Sequence, residues 1–452
     1  MPQTQTLFDD IASQNGHADV ADSKGYKHVK RIGRIPRDWE VREIGDCIIN
    51  LDAGTSAGGE DREKNDGEKG ILKVSAVSSG HLRPSEHKVI PPDRLGEVDV
   101  TPQEDHLIIS RANTRELVGA SAYVKTDHPD LYLPDKLWQI RVDDQLVLPK
   151  WLHYVLWTRR LRFNIGSEAT GSSASMKNIS QKRFKRLKIP VPSVEEQRQI
   201  LGHLSVWDRA IEQVDALIET KQEHLHGLRQ RLLTGEVRFP DLSKPWTETT
   251  LGEYFRYFSN RNGDEHDFPV LSCSKVHGII PQSEKFDRRV ASKDTSNYKV
   301  VERGNLVYDP MLLWDASIGF VDCVEQGVVS PAYYTFKFDE ENGDRTFFRH
   351  LLATHWVKYQ YKAISQGTNR RRRKAPRDAF LRIEVEVPSL PEQEKIAEVM
   401  RTAEAEIAKL EQKRDALKRQ KKGLMQRLLT GAVRTTDFPS AACRIIARSH
   451  AY

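Results

Sequence analysis

The stretch Val191–Arg238 is written a second time, without a gap, as Val387–Arg434. Seventeen of these 48 positions are identical, against roughly three expected from average residue usage. VPSVEEQ returns as VPSLPEQ, and GLRQRLLTGEVR returns as GLMQRLLTGAVR. The same offset of 196 residues lays Gly171 on Gly367 and Phe184 on Phe380. A period this long cannot be a solenoid repeat, whose units are a few tens of residues. It is the length of a domain plus a helix, so the chain is a tandem duplication and must build one architecture twice.

The repeated stretch reads as a long helix with explicit ends. Ser193 precedes Val194-Glu195-Glu196, which is capping-box spacing, and Ser389 with Glu392 repeats it. Pro391 falls in the first turn, where proline is tolerated. Gly235 and Gly431 follow Arg-Leu-Leu-Thr, as a left-handed cap with cations in the last turn requires. Between these ends apolar residues step by four and three. The first series is Ile200, Leu204, Trp207, Ile211, Val214, Ile218, Leu225, Leu228 and Leu232, interrupted by Lys221. The second is Ile396, Met400, Ala403, Ile407, Leu410, Leu417, Leu424 and Leu428, interrupted by Arg414 and Lys421. A sustained seven-residue repeat makes a coiled-coil seam, and about 38 residues at 1.5 Å rise span about 57 Å. Two matching seams in one chain most simply pair with each other. A plain structural stalk is the alternative.

Each helix follows a segment of mixed character. IPRDWEVREIGDCI (Ile35–Ile48) and SKPWTETTLGEYF (Ser243–Phe255) open them alike. Short apolar stretches rich in β-branched residues follow, punctuated by Gly, Pro and Asn/Asp, with a helical stretch late in each: PKWLHYVLWTRRLRFNI and FFRHLLATHWVKYQYKAI. The fold class expected is α+β, with two tandem domains joined to two long helices that pair as an antiparallel coiled coil. The expected order is a mobile lead-in over 1–30, a first domain over 31–190, a long helix over 191–238, a second domain over 239–386, a second helix over 387–434 and a tail over 435–452. The domains have diverged far more than the helices. That is what a scaffold meeting one partner twice, with two heads reading different targets, would look like.

Composition narrows the function. With 38% hydrophobic and 30% charged residues and a mean hydropathy of −0.60, no run approaches the ~18–20 apolar residues of a membrane span. The N-terminus lacks the layout of a secretory signal, and the four cysteines are scattered, so a reduced cytoplasmic protein is expected. A net charge of +6 permits a polyanionic partner without requiring one. GxxxxGK[ST] is absent. The D/N/S-PP-Y/F turn of adenine methyltransferases is also missing, since DPML at Asp309 lacks the second proline and the aromatic. No metal-ligand spacing stands out.

The starts VPSVEEQRQI and VPSLPEQEKI, and the exits GLRQRLLTGEVR and GLMQRLLTGAVR, resemble those of Type I restriction–modification specificity subunits. SRANTRELVGASAYV (Ser110–Val124) with LWQIRVDD is similar to the family's target-recognition domain, and the likeness runs from about Arg34 to Arg434. The resemblance implies a non-catalytic DNA-binding subunit whose two domains each read half of a bipartite site, with the helices fixing the gap between the halves. It implies double-stranded DNA, two methyltransferase subunits and translocase-nuclease subunits as partners. S-adenosylmethionine, ATP and Mg would sit on those partners, and this chain would hold no cofactor. In the second domain YDPMLLWDASIGF replaces SRANTRELVGASA, a departure from the pattern. The competing reading is a coiled-coil adaptor that binds only protein.

Two acid-free stretches are the first DNA-contact candidates. GTNRRRRKAPR offers Arg370, Arg371, Arg372, Arg373, Lys374 and Arg377, and TGSSASMKNISQKRFKR offers Lys177, Lys182, Arg183, Lys185 and Arg186. Such cations neutralise phosphates, and arginine also grips guanine O6 and N7. A solvated loop or an acidic protein partner is the bland alternative. Ser110, Arg111, Asn113 and Arg115 form a second candidate cluster, since asparagine matches adenine and arginine guanine. The loop Ala53–Gly70, mixed in charge, reads as mobile. For helix pairing the candidates are Leu204, Trp207, Ile211, Val214 and Ile218 on one helix and Met400, Ile407, Leu410, Leu417 and Leu424 on the other.

Overall fold

A computed structural model describes residues 25–171, 176–242, 244–263, 268–275, 277–285, 290–367 and 373–437. The chain divides into two compact units that are discontinuous in sequence: one holds residues up to Gln213 together with those from Asp415 onward, the other Val214–Arg414. The boundary cuts through both long helices, so neither is a unit of its own. Each unit contains one domain, the first half of the helix that follows it, and the last half of the other helix.

The first unit is centred on an antiparallel sheet of β1 (Ile48–Ala53), β2 (Leu107–Ser110), β3 (Ser121–Tyr123) and β4 (Leu137–Val142), in the order β1-β4-β2-β3. In the second unit β5 (Phe255–Phe258), β6 (Leu306–Tyr308), β7 (Ile318–Phe320) and β8 (Tyr334–Phe338) repeat it, in the order β5-β8-β6-β7. The duplication is therefore preserved in topology where it has faded in sequence. A two-stranded ribbon leads into each long helix. Lys188–Val191 pairs with Glu40–Glu43, and Glu384–Val387 pairs with Thr247–Thr250, all antiparallel. The late helical stretch of each domain breaks in two, as Pro149–Leu156 with Arg159–Glu168 and as Arg345–Leu351 with His355–Ile364. Thr158 and Thr354, one repeat apart, restart the second piece from extended backbone. The loop expected to be mobile is instead anchored. Ala57 is fully buried, Glu60 and Val89 exchange two backbone bonds at 2.9 Å, and Arg62 pairs with Glu60 at 2.9 Å and Glu68 at 2.7 Å.

The long helices are α1 (Val194–Leu233, 40 residues) and α2 (Leu390–Leu428, 39 residues). The Ser193 hydroxyl caps α1, accepting from the Glu196 amide at 3.2 Å. Gly235 and Gly431 take φ of +70° and +64°, closing the exits as the repeated glycine requires. The seam is real. Ile200, Leu204, Ile211, Val214, Ile218, Leu225 and Leu232 are buried, as are Ile396, Met400, Ile407 and Leu428, while Trp207, Leu410, Leu417 and Leu424 are half-buried.

Pairing is antiparallel within each unit. In the second, Asp215 faces Arg414 at 3.8 Å, Lys221 faces Glu406 at 2.7 Å and Arg229 faces Glu404 at 3.7 Å. In the first, Asp208 pairs with Lys421 and Glu196 with Arg434. The polar residues that interrupt the apolar series thus meet carboxylates on the opposite helix. Like the polar core positions of coiled coils, they penalise a slipped register.

The helix ends are knit into the domains. Ile200, Leu204, Leu428 and Leu429 share one core with Trp39, Trp151 and Phe184. Trp39 meets Trp151 edge-on at 5.7 Å. In the second unit Phe380, the repeat of Phe184, packs with Tyr308 at 4.9 Å and Phe336 at 5.3 Å.

In each unit the Glu of one EQ motif grips the last arginine of the other repeat. Arg434 Nε lies 2.8 Å from Glu196 Oε1, and its Nη2 lies 2.8 Å from Asp38 Oδ2. Trp39 Nε1 donates to Glu196 Oε2 at 3.0 Å. Arg434 holds the Asp38 carboxyl below its ordinary range. In the second unit Arg238 grips Glu392 in bidentate fashion, at 3.0 and 2.7 Å, and the Glu392 side chain is 1% exposed. The expected capping-box return bond is therefore replaced, because a bidentate guanidinium is a stronger partner for a carboxylate than a backbone amide. The neighbouring glutamines close the joint. Gln197 donates to Leu146 O and Pro192 O and accepts from Leu148 N; Gln393 donates to Pro388 O and accepts from Asp344 N.

A second acidic position is also repeated, Asp208 in α1 and Glu404 in α2. Asp208 accepts from the Tyr154 hydroxyl and pairs with Lys421. Glu404 takes Arg349 at 2.6 Å, with Arg229 and His350 nearby. The 3.3 Å approach of His350 to Glu404 is not an ion pair, since burial, then Arg229 and Arg349, push its pKa down to about 3. Burial, then His81 and Lys421, push the His153 pKa down to about 3 as well.

Two outcomes follow from this packing. Arg238→Ala leaves the Glu392 carboxylate, 1% exposed, without its guanidinium, so it should lower stability, and adding Glu392→Gln should recover part of the loss. Urea titration of the two variants measures both. His153 and His350 stay neutral in the folded chain while the unfolded chain protonates below about pH 6.5. Their pKa values are depressed on folding, so each removes stability as pH falls from about 6.5 toward 3, by at most about 1.4 kcal/mol per pH unit. The double variant His153→Gln/His350→Gln should show a smaller loss of melting temperature between pH 7 and pH 5 than the parent.

Candidate nucleic-acid interface

The two acid-free stretches are flanked by the same backbone pairing. Thr170 and Asn178 exchange backbone bonds at 2.8 and 2.7 Å, and Gln366 and Lys374, one repeat later, exchange theirs at 3.1 and 2.8 Å. Each pair joins the chain on either side of a short stretch, 171–177 in one domain and 367–373 in the other. Gly171 and Gly367 open these stretches at φ of +147° and +139°. A Cβ on Gly171 would sit 2.5 Å from Met176 O, and the positive φ at both places is one that residues with a Cβ rarely adopt. Between them the contents differ, GSSASMK against GTNRRRR. One address carries two different chemistries. Residues 172–175 and 368–372, with Arg370, Arg371 and Arg372 among them, lie outside the described residues.

The first loop is stitched to the second candidate cluster. Lys177–Asn178 pairs antiparallel with Ala112–Asn113, and Ile179 N donates to Arg111 O at 2.9 Å. Arg111 reaches back to Asp135, with Nε on its carbonyl at 2.7 Å and Nη2 on its carboxylate at 3.1 Å. Asn113 Oδ1 accepts the Thr114 amide at 2.8 Å, and Arg115 is exposed. Lys177 Nζ is 2.5 Å from Gly171 O. The structure thus brings Arg111, Asn113 and Lys177 together, although they are far apart in sequence.

Ser110 must be corrected. It is fully buried at the end of β2, and its hydroxyl donates to Ala112 O at 3.1 Å. It supports the cluster from below and cannot meet a ligand on the surface. Further along, Ser180 caps the short helix Gln181–Lys185, accepting from Arg183 N. Lys182, Arg183 and Arg186 are exposed and Lys185 half-buried. Arg183 is tethered to Glu168 O at 2.8 Å, and the Lys185 Cβ would stand 3.0 Å from a Cβ on Gly45.

In the second domain Ala375 is buried and donates to Pro310 O at 2.9 Å, which fixes the exit of the basic loop. Lys374 is exposed and Arg373 half-buried. Arg377 lies over the Tyr257 ring at 4.5 Å and pairs with Asp378 at 2.7 Å. Lys299, 4% exposed, donates to Tyr333 O and sits 5.6 Å from the rings of Tyr257 and Tyr334. Tyr257, Lys299 and Tyr334 escaped sequence reasoning because three separate strands bring them together. No local pattern announces such a cluster. Among the described residues no group of three or more His, Cys, Asp or Glu is placed to hold a metal ion, and no helix is long and apolar enough to cross a membrane. Cys47, Cys273 and Cys323 are free thiols.

Comparison with known proteins agrees with this architecture. Residues 36–221 match the Type I restriction modification DNA specificity domain. The Type I restriction enzyme MjaVIII specificity subunit of Methanocaldococcus jannaschii is 24% identical over 433 residues, covering 89% of this chain and 95% of that protein. The Type I restriction enzyme EcoEI specificity subunit of Escherichia coli is 24% identical over 190 residues, 42% of this chain and 32% of that one. Among solved structures, the S subunit of a Type I restriction–modification system from M. genitalium covers 89% of this chain and 97% of its own, at 16% identity and a TM-score of 0.51, a likeness of fold. Through one domain match, whole-length relatives and a shared tandem fold, the chain is identified as a relative of the Type I restriction–modification specificity subunits.

Proposed function

We propose that the chain is the non-catalytic, sequence-specific DNA-binding subunit of a cytoplasmic Type I restriction–modification complex. Each domain reads one half of a bipartite duplex site. The paired helices hold the distance between the halves and dock two methyltransferase subunits, to which translocase-nuclease subunits join. S-adenosylmethionine, ATP and Mg belong to those partners. One observation carries the reading: the same backbone pairing, Thr170 with Asn178 and Gln366 with Lys374, brackets the same stretch in both domains, and the residues between differ. A surface that serves only to bind one protein twice has no reason to differ between copies. Two readers of different half-sites must differ there.

The chain alone should neither methylate nor cleave DNA, whereas with its methyltransferase partner it should direct adenine methylation to an asymmetric bipartite site. Mapping methylated adenines tests this, and methyl transfer by the purified chain would refute it. Replacing Arg370–Arg373 by alanine should weaken duplex binding and flatten its dependence on salt, because every phosphate left without its cation takes about one unit off the log–log slope. A filter-binding salt titration reads the slope. An insertion of four residues after Thr220 in α1 lengthens that helix by about 6 Å, close to two base-pair steps of about 3.4 Å. The half-sites should be retained and the gap between them altered by one or two base pairs. An unchanged gap in an active variant would mean the helices do not set it.

A further inference from the structure

The equivalence of the two domains can be extended to the segment where their sequences part. In the first, Ile179 N donates to Arg111 O; in the second, Ala375 N, one repeat later, donates to Pro310 O. Leu107 of β2 pairs with Tyr123, and Leu306 of β6 pairs with Phe320 at the corresponding place. The strand ends therefore correspond at an offset of 199 rather than 196 as far as Arg111 and Pro310; beyond them Ala112–Asn113 continues as a strand paired with Lys177–Asn178, whereas Met311 and Leu312 enter a turn. Where the first domain carries Asn113 on that strand, the second presents two apolar side chains on its turn.

These two side chains are held outward. Met311 is 36% and Leu312 41% exposed. The backbone beneath them is saturated from within. Met311 N donates to Asp309 Oδ1 at 2.9 Å, Leu312 N to Asp309 O at 3.1 Å, and Trp314 Nε1 to Met311 O at 3.0 Å. What this rigid turn offers a partner is its apolar tip. The Pro310–Ala375 bond sets the tip beside Lys374 and Arg373, cations suited to phosphates flanking a groove.

We propose that Met311 and Leu312 are specificity-determining residues of the second domain, which recognise the C5-methyl group of thymine in the major groove. The inference rests on the DNA-binding reading above. Duplex DNA presents one apolar feature on its base edges, the thymine methyl, and apolar side chains match it as asparagine matches adenine. The cations at the base of the tip favour a polyanion over the apolar surface of a protein. The two domains then read by different chemistry in the segment that follows the same strand: an amide at Asn113, methyl contact at Met311 and Leu312.

The test uses the full chain with its methyltransferase partner and duplexes of its mapped site, with each thymine replaced in turn by deoxyuridine, which removes only the methyl. At one or more thymines of a single half-site, binding should weaken about fourfold for each recognised methyl that is removed. That sensitivity should vanish in Met311→Ala/Leu312→Ala. Arg373→Gln serves as a control that weakens binding equally on thymine and deoxyuridine duplexes. Met311→Thr, a milder change, should reduce the sensitivity if the double variant does not fold. Binding indifferent to every replacement overturns the proposal, as does sensitivity that persists unchanged in the variants. Loss of methyltransferase association in the variants, without thymine sensitivity in the parent, also overturns it and makes the tip a protein contact. Failure of the parent to bind its unsubstituted site would instead overturn the DNA-binding reading itself.

Discussion

The structure depends on a carboxylate that has given up its local role. Glu196 and Glu392 stand where a capping-box glutamate folds back on its own helix, yet each is turned toward an arginine that arrives from the other repeat. The carboxylates are nearly removed from water, and a buried charge is tolerable only with a well-placed counter-charge. Geometry is therefore demanding at this joint. Arg434 or Arg238 must arrive at the right distance along its helix, which fixes where that helix ends. The invariance of RLLTG between the repeats follows. The helix must stop, turn through a left-handed glycine and present its arginine three residues later. At Gly431 the fit is tight enough that a Cβ would stand 2.3 Å from Pro36 Cγ.

The same logic governs the seam. A purely apolar pair of long helices could slide by a heptad with little loss. Lys221, Arg414 and Lys421 break the apolar series, and each finds its carboxylate only in one register. Exposed pairs of this kind add little stability. Their contribution is discrimination, since a slipped register would leave half-buried cations without partners. In each unit the clasp at the helix end and the polar positions along the seam specify the same alignment.

Much of this was legible in the sequence, and the division between legible and illegible is physical. Helix ends, seams and duplication are carried by residues close together in the chain, so Ser193, Gly235 and the four–three spacing announced α1 before any fold was known. The basic stretches were legible as composition, but the pairing that brackets them was not, because it depends on Thr170 meeting Asn178 and Gln366 meeting Lys374. Ser110 looked like part of a reading surface and is buried, because burial is decided by the strand it ends. The use made of Glu196 was hidden for a similar reason: its partner lies 238 residues away. YDPMLLWDASIGF was legible as a departure from the first domain's pattern, but the exposure of its Met311 and Leu312 was not, because it depends on the turn they occupy.

The discontinuity of the first unit has a consequence for the chain's birth. Its domain leaves the ribosome early, but the strip that completes its core, Leu424 to Val433 at the end of α2 and just beyond it, is made some two hundred residues later. At about 5–20 residues per second, the gap lasts on the order of ten to forty seconds. During that time the faces of Trp39, Ile200 and Leu204 lack their final cover, and the Glu196 carboxylate lacks its guanidinium. Contacts this remote in sequence close slowly. Nascent chains on one messenger would expose the same unfinished face side by side, each able to accept the exit helix of a neighbour. Translation speed and chaperone occupancy, rather than native stability, would then govern the yield of correctly closed molecules.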